Sequence, residues 1–188
     1  MNKPKSTRRS VIWVGLKSLS IEHLILGMFR DGWLLKGTII SKIGRRAYTF
    51  KYMIYTDLLF KTRRVRVSEV TSRSVRQLSL DFIGSAILVN GRIRTDLALC
   101  TDVDFEISPA TNTLPIRRLK LGLGQKAEVH AAWVRFPSLK VEVLEQNYER
   151  TGKQTYVYRS QSGFQANLTV DSFGLITRYD GIWRRVFP

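Results

Sequence analysis

Apolar and polar residues alternate with a period of two along most of this chain, and the 3.6-residue recurrence of a sustained helix is nearly absent. A strand turns successive side chains to opposite faces, so this alternation buries one face of a sheet and leaves the other to solvent. Strand candidates fall at residues 34–40, 47–55, 60–67, 75–82, 86–89, 127–136, 139–144, 155–159, 164–170 and 175–179. Within the second of these, Tyr48, Phe50 and Tyr52 occupy alternate positions. Turn chemistry separates the runs: Asp31-Gly32, Ile43-Gly44-Arg45-Arg46, Asn90-Gly91, Gly152-Lys153, Ser162-Gly163 and Phe173-Gly174. Short strands joined by tight turns predict an antiparallel meander that curls or closes, and no βαβ rhythm is visible. With no internal repeat, low-complexity segment or linker, one domain is expected over 11–188, preceded by a basic tail at 1–10.

One segment breaks the pattern. From Pro109 to Gly122, Thr111, Asn112 and Thr113 are capping residue types, Pro115 is tolerated in a first helical turn, and Gly122 is placed to stop the helix. Ile116 and Leu119 share a face, so a short helix of about two to three turns is expected there.

A chain of 188 residues with 44% hydrophobic side chains can bury a sizeable core and is too apolar for disorder. Its single cysteine, Cys100, excludes an internal disulfide, fits a reducing compartment, and reads as a buried structural thiol. The basic start followed by Val11-Ile12-Trp13-Val14-Gly15-Leu16 imitates a signal peptide, but Lys17 interrupts the apolar stretch before any cleavage site. No run is long enough to span a membrane, so a cytoplasmic location is expected.

The net charge of +16 is the compositional anomaly, and residues 1–76 hold 17 basic side chains against Glu22, Asp31, Asp57 and Glu69. Such a field attracts nucleic acid, anionic membrane and acidic ligands alike. Many of these residues nevertheless alternate with apolar ones, as in Thr62-Arg63-Arg64-Val65-Arg66-Val67, which puts Arg64 and Arg66 on the outer face of a strand.

Asp102-Val103-Asp104-Phe105 sets two carboxylates on one face of a strand. They could bind a cation, perform acid–base chemistry or pair with Arg117 or Arg118. Successive helical residues diverge by about 100°, so at most one of those arginines can face inward with Ile116 and Leu119, and an inward arginine must be paired. An arginine fork could instead grip a phosphate or carboxylate. His130 and His23 lie near no nucleophile motif, and no CxxC, HExxH, Walker or GxGxxG pattern occurs, so no catalytic residue, metal or cofactor is assigned. Trp13, Trp33, Trp133 and Trp183 are expected to be mostly core, with one or two available to a sugar ring or acyl chain.

Thr101-Asp102-Val103-Asp104-Phe105, together with Ser108-Pro109-Ala110-Thr111-Asn112-Thr113-Leu114-Pro115-Ile116-Arg117-Arg118-Leu119, closely resembles the hallmark of a bacterial family described as putative glycolipid-binding. The resemblance continues through Ala131-Ala132-Trp133-Val134-Arg135-Phe136-Pro137, Glu145-Gln146-Asn147-Tyr148-Glu149-Arg150, Tyr156-Val157-Tyr158-Arg159-Ser160 and Tyr179-Asp180-Gly181-Ile182-Trp183-Arg184-Arg185. It implies a mainly β fold, a spiral β-roll of about fifteen strands wrapped around one short central helix, with no catalytic residues to carry over. The chain departs from the family at Leu58-Leu59-Phe60-Lys61 and Ala86-Ile87-Leu88, where tryptophans are usual, and at Asp180, where proline is. Such changes would alter the ligand if those tryptophans lined a pocket.

The leading expectation is a non-enzymatic protein that binds a glycolipid or other amphiphile. Inner-face apolar residues would take an acyl chain. Asp102, Asp104, Asn112, Arg117 and Arg118 would orient the polar head, with Trp133 and Tyr158 stacking on it. The alternatives are a purely structural joint between helix and sheet, polyanion binding by the basic N-terminal half, and an enzyme acting on sugars through Asp102 and Asp104.

Overall fold

A computed structural model of the chain describes residues 8–71 and 75–188. Fifteen strands among the described residues form one sheet. The N-terminal half comprises β1 (Arg9–Gly15), β2 (Ser20–Phe29), β3 (Gly32–Ile43), β4 (Arg46–Asp57), β5 (Thr62–Val70), β6 (Val75–Ile83), β7 (Ala86–Val89) and β8 (Arg92–Ile93). The C-terminal half comprises β9 (Asp102–Phe105), β10 (Lys126–Val134), β11 (Val141–Arg150), β12 (Thr155–Ser160), β13 (Gln165–Val170), β14 (Ile176–Tyr179) and β15 (Trp183–Phe187). Each half is a meander, and they join where β1 pairs antiparallel with β15, leaving β8 and β9 at the two edges. The N-terminal strand thus lies at the centre of the sheet. Of the expected tail at 1–10, residues 1–7 lie outside the described residues, while Arg9 and Ser10 open β1.

One pairing is not antiparallel. β9 runs parallel to β10, with Ala131 opposite Asp102 and Trp133 opposite Asp104. Parallel neighbours need a crossover, and the helix α1 (Thr113–Leu119) supplies it as a single β–α–β unit. The helix spans about two turns, as expected, but Lys120 rather than Gly122 ends it, in the left-handed conformation at φ 49°. Asn112 makes no capping hydrogen bond with its side chain, and a 3₁₀ turn at Ala110–Asn112 leads into the helix.

β9 is tucked inside the roll, which is why both its faces are covered. Val103 and Phe105 are buried on one face, where the Phe105 ring meets Tyr52 of β4 at 5.2 Å and Phe136, just after β10, at 5.7 Å, both edge-on. Asp102 and Asp104 face the C-terminal half, where Gln146 of β11 reaches Asp104. The surrounding core, which includes Trp13, Leu24, Leu26, Phe50, Ile54 and Leu80, is fully excluded from solvent. These are the inner-face residues expected to receive an acyl chain. They already pack against one another, so a chain could enter only by displacing them.

The outer face behaves as the alternation predicts. Arg64 and Arg66 both point outward from β5 and share Asp81 of β6. Arg63 pairs with Asp31, while Arg76 pairs with Glu69, which is buried at the inner parity of Val65 and Val67. Much of the positive charge of β5 and β6 is therefore compensated locally. Cys100 is buried, and burial, with Asp96 and Asp102 nearby, pushes its thiol up to about 11. No helix among the described residues is long and apolar enough to cross a membrane.

An aromatic cavity beside the helix and its buried polar layer

The expected site residues separate into three places. Asp104, Asn112, Trp133 and Tyr158 line one cavity of about 240 Å³. Asp102 and Arg118 bond to each other and line neither cavity, and Arg117 lines a second cavity.

The first cavity is walled by rings. Trp133 comes from β10, Tyr158 from β12, Phe164 from the turn before β13, Tyr179 from β14 and Trp183 from β15. Tyr158 lies 6.0 Å from Phe164 and 6.3 Å from Tyr179, the latter edge-on. Arg135 covers one side of the Trp133 indole at 4.1 Å and is itself held by Glu106 and Glu142.

Beneath the rings lies a connected polar layer. Asp104 accepts hydrogen bonds from the Thr111 hydroxyl at 2.7 Å and from Gln146 Nε2 at 2.8 Å. The same Gln146 nitrogen donates to the Tyr158 hydroxyl at 3.1 Å, which leaves the tyrosine's own proton for another acceptor. Tyr148 donates to Asn112 Oδ1 at 2.9 Å. Burial raises the Asp104 carboxyl above the ordinary carboxylate value, against the lowering effect of Thr111 and Gln146. Burial, reinforced by Asp104, likewise pushes Tyr158 and Tyr179 upward, so both rings carry neutral hydroxyls at physiological pH.

Of the two aspartates that could have paired with an inward arginine, Asp104 does not; Thr111 and Gln146 occupy its oxygens instead. The expected pair forms at Asp102, which is 1% exposed. Arg118 donates to both its oxygens, with Nε to Oδ1 at 3.2 Å and Nη2 to Oδ2 at 2.5 Å. That two-pronged bond fixes the helix to β9. Arg117 diverges, as the helical angle requires, and stacks on Phe60 and Phe173 at 5.1 and 4.5 Å. Leu58 and Leu59, at the first departure from the family pattern, are exposed and line neither cavity.

One fully buried carboxylate escaped the sequence reading. Glu22 on β2 is fully buried, and its Oε1 accepts from the Tyr52 hydroxyl and from Ser108 Oγ, the latter at 2.9 Å. Its Oε2 has no partner among the described residues. Burial pushes this carboxyl up to about 7, although both hydroxyls act to lower it. Ser108 also lines the aromatic cavity, so the cavity floor connects directly to Glu22. Glu22 shares strand parity with the buried Leu24 and Leu26, a charged residue at a core position, and Gln146 shares parity with Leu144 and Tyr148 on β11. That parity was the available signal. No group of three His, Cys, Asp or Glu among the described residues is arranged to hold a metal ion.

A curled, all-β sheet wound about a short helix, with a ring-walled pocket at the helix entry, defines the architectural class. Within that class, the chain belongs to the family described as putative glycolipid-binding, whose model matches residues 10–185. The chain is also similar to a DUF1089 family protein from Pseudomonas aeruginosa, known from a crystal structure. The two are 30% identical over 89% of this chain and 92% of that one, with a TM-score of 0.80. A search of curated proteins finds no match.

Proposed function

We propose that the chain binds the sugar headgroup of a glycolipid, without transforming it, in the cavity between Trp133, Tyr158 and Asp104. The observation that carries this reading is the combination of ring faces with a polar floor. A sugar presents apolar C–H faces and hydroxyl edges, which suit aromatic walls and fixed acceptors respectively. The family's description points the same way. At about 240 Å³ the cavity suits one or two rings better than an acyl chain, since pockets for drug-sized ligands run from roughly 300 to 1,000 Å³. The acyl portion would then stay outside, in its membrane or micelle.

The non-enzymatic part of the proposal rests on occupied carboxylates. Asp102 is held by Arg118 and Thr101, and Asp104 by Thr111 and Gln146, which supports a positioning role over a reacting one. Titration calorimetry with octyl glucoside, galactoside and maltoside below their micelle concentrations tests the proposal. Saturable binding of at least one is expected, with Tyr158→Phe weakening it about 2–10-fold through one lost hydrogen bond. The glycoside should be recovered intact. Failure of all three to bind, or unchanged binding by Tyr158→Phe, refutes the site; hydrolysis refutes the non-enzymatic reading.

A further inference from the structure

The second cavity, of about 360 Å³, opens where α1 ends and is built from different chemistry. Arg117, Lys120, Arg150 and Lys153 line it, and the one carboxylate among its walls is Asp171. That carboxylate is already engaged. Its Oδ2 accepts from Arg185 at 2.7 Å, and its Oδ1 accepts from the backbone N–H groups of Phe173 and Leu175. Arg150 donates only to backbone carbonyls, those of Gly152, Leu121 and Lys153, which position its guanidinium without cancelling its charge.

Arg117 is the decisive group. Its guanidinium is pinned against the rings of Phe60 and Phe173, its Nε is buried without a hydrogen-bond partner, and no carboxylate pairs with it among the described residues. Arg9 lies over the same Phe173 ring at 4.5 Å, which adds a further positive charge. Burial, and then Arg9, make the Arg117 charge costly and pull its pKa below the usual arginine value. The close packing is built in: a Cβ at Gly174, where φ is +98°, would lie 3.1 Å from Arg117 Cδ. A preorganised arginine with unused donors, grouped with further cations, has the chemistry to hold an anion.

We propose that this cavity binds a phosphate monoester group. A carboxylate would satisfy a single guanidinium fork. A phosphate monoester brings close to two negative charges and three acceptor oxygens, enough to engage Arg117 together with Lys120, Lys153 and the remaining donors of Arg150. The group could belong to a soluble metabolite or to a lipid headgroup. The proposal does not depend on the aromatic cavity, which shares none of these residues.

Titration of the full chain with glycerol 3-phosphate, and flotation with phosphatidic acid vesicles against vesicles of a phosphodiester lipid of similar charge, tests it. Glycerol 3-phosphate should bind, and Arg117→Met should weaken that binding about tenfold or more, as loss of a charged hydrogen-bond donor does. The double variant Lys120→Ala, Lys153→Ala, which changes only exposed side chains, should weaken it even if Arg117→Met folds poorly. Lys51→Ala, on the outer face of β4, should not. Equal affinity for free and vesicle-borne monoester indicates a soluble ligand; marked preference for phosphatidic acid indicates a lipid headgroup. Either supports the site. Binding to neither, or binding that Lys51→Ala weakens as much as the cavity variants do, overturns it in favour of diffuse attraction by a +16 chain.

Discussion

Replacing Glu22 with glutamine should stabilise this protein, and only above mildly acidic pH. The carboxyl has an ordinary value of 4.5 and is pushed up to about 7 in the folded chain by burial. Below pH 4.5 it is neutral in both folded and unfolded chains. Between 4.5 and 7 the folded chain holds a proton that the unfolded chain has released, so stability falls as pH rises. Above 7 the group is ionised in both states, and the folded state bears the full cost of a buried carboxylate, about 3 kcal/mol. Glutamine has the same shape, can accept the same bonds from Tyr52 and Ser108 through Oε1, and never ionises.

Urea unfolding of both proteins from pH 4 to 8.5, followed by tryptophan fluorescence, measures the difference. The two stabilities should nearly coincide at pH 4 and separate progressively, with the variant about 3 kcal/mol more stable at pH 8. That corresponds to a midpoint rise of about 6–12 °C for a domain of this size. Every other ionisable group is common to both proteins and cancels from the comparison. A difference that is flat across pH, or a variant less stable at pH 8, would refute the assignment of Glu22 as a buried group with a raised pKa.

Two further perturbations test the architecture. Arg118→Ala leaves Asp102 buried without its cation and should destabilise the chain by about 3 kcal/mol in the same urea assay, with Arg118→Lys recovering part of the loss. An unaffected midpoint would show that the bond is not the joint between helix and β9. Gly37→Ala should cost about 1–3 kcal/mol by overpacking, because the added Cβ would lie 2.2 Å from Tyr52 Cζ. It should also displace the Tyr52 hydroxyl from Glu22 and raise the carboxyl further, moving the pH window upward; an unchanged window would refute that coupling.

The strands that could be read from alternation are those whose inner and outer positions differ in polarity. β5 is the clear case, with Val65 and Val67 buried and Arg64 and Arg66 outward. β2 escaped because its polarity is inverted at the start: Ile21 is exposed and Glu22 buried. β1 was masked by a continuous apolar run that imitated a leader, although Val11 and Trp13 are its inward pair. Pairing between β1 and β15 joins opposite ends of the chain, and local periodicity carries no information about such a contact. For the site, the need to pair an inward arginine pointed to an arginine–aspartate bond but left open which of Arg117 and Arg118 and which of Asp102 and Asp104 would make it; the pair is Arg118 with Asp102. The ligands of Asp104 were illegible because Thr111 and Gln146 converge on it only through the crossover of α1 and the curl of β11.

One short segment therefore does three jobs through its helical geometry. Asn112 enters the aromatic cavity, Arg117 enters the cationic one, and Arg118, rotated about 100° from its neighbour, locks the helix to Asp102. The two cavities share no lining residue, so each can be varied while the other serves as control. A structural joint and a binding site are not competing readings of the same motif. Arg118 and Asp102 hold the helix in place, and what the helix presents on either side depends on that hold. This accounts for why the motif pairs two adjacent arginines with two alternate aspartates, yet joins only one arginine to one aspartate.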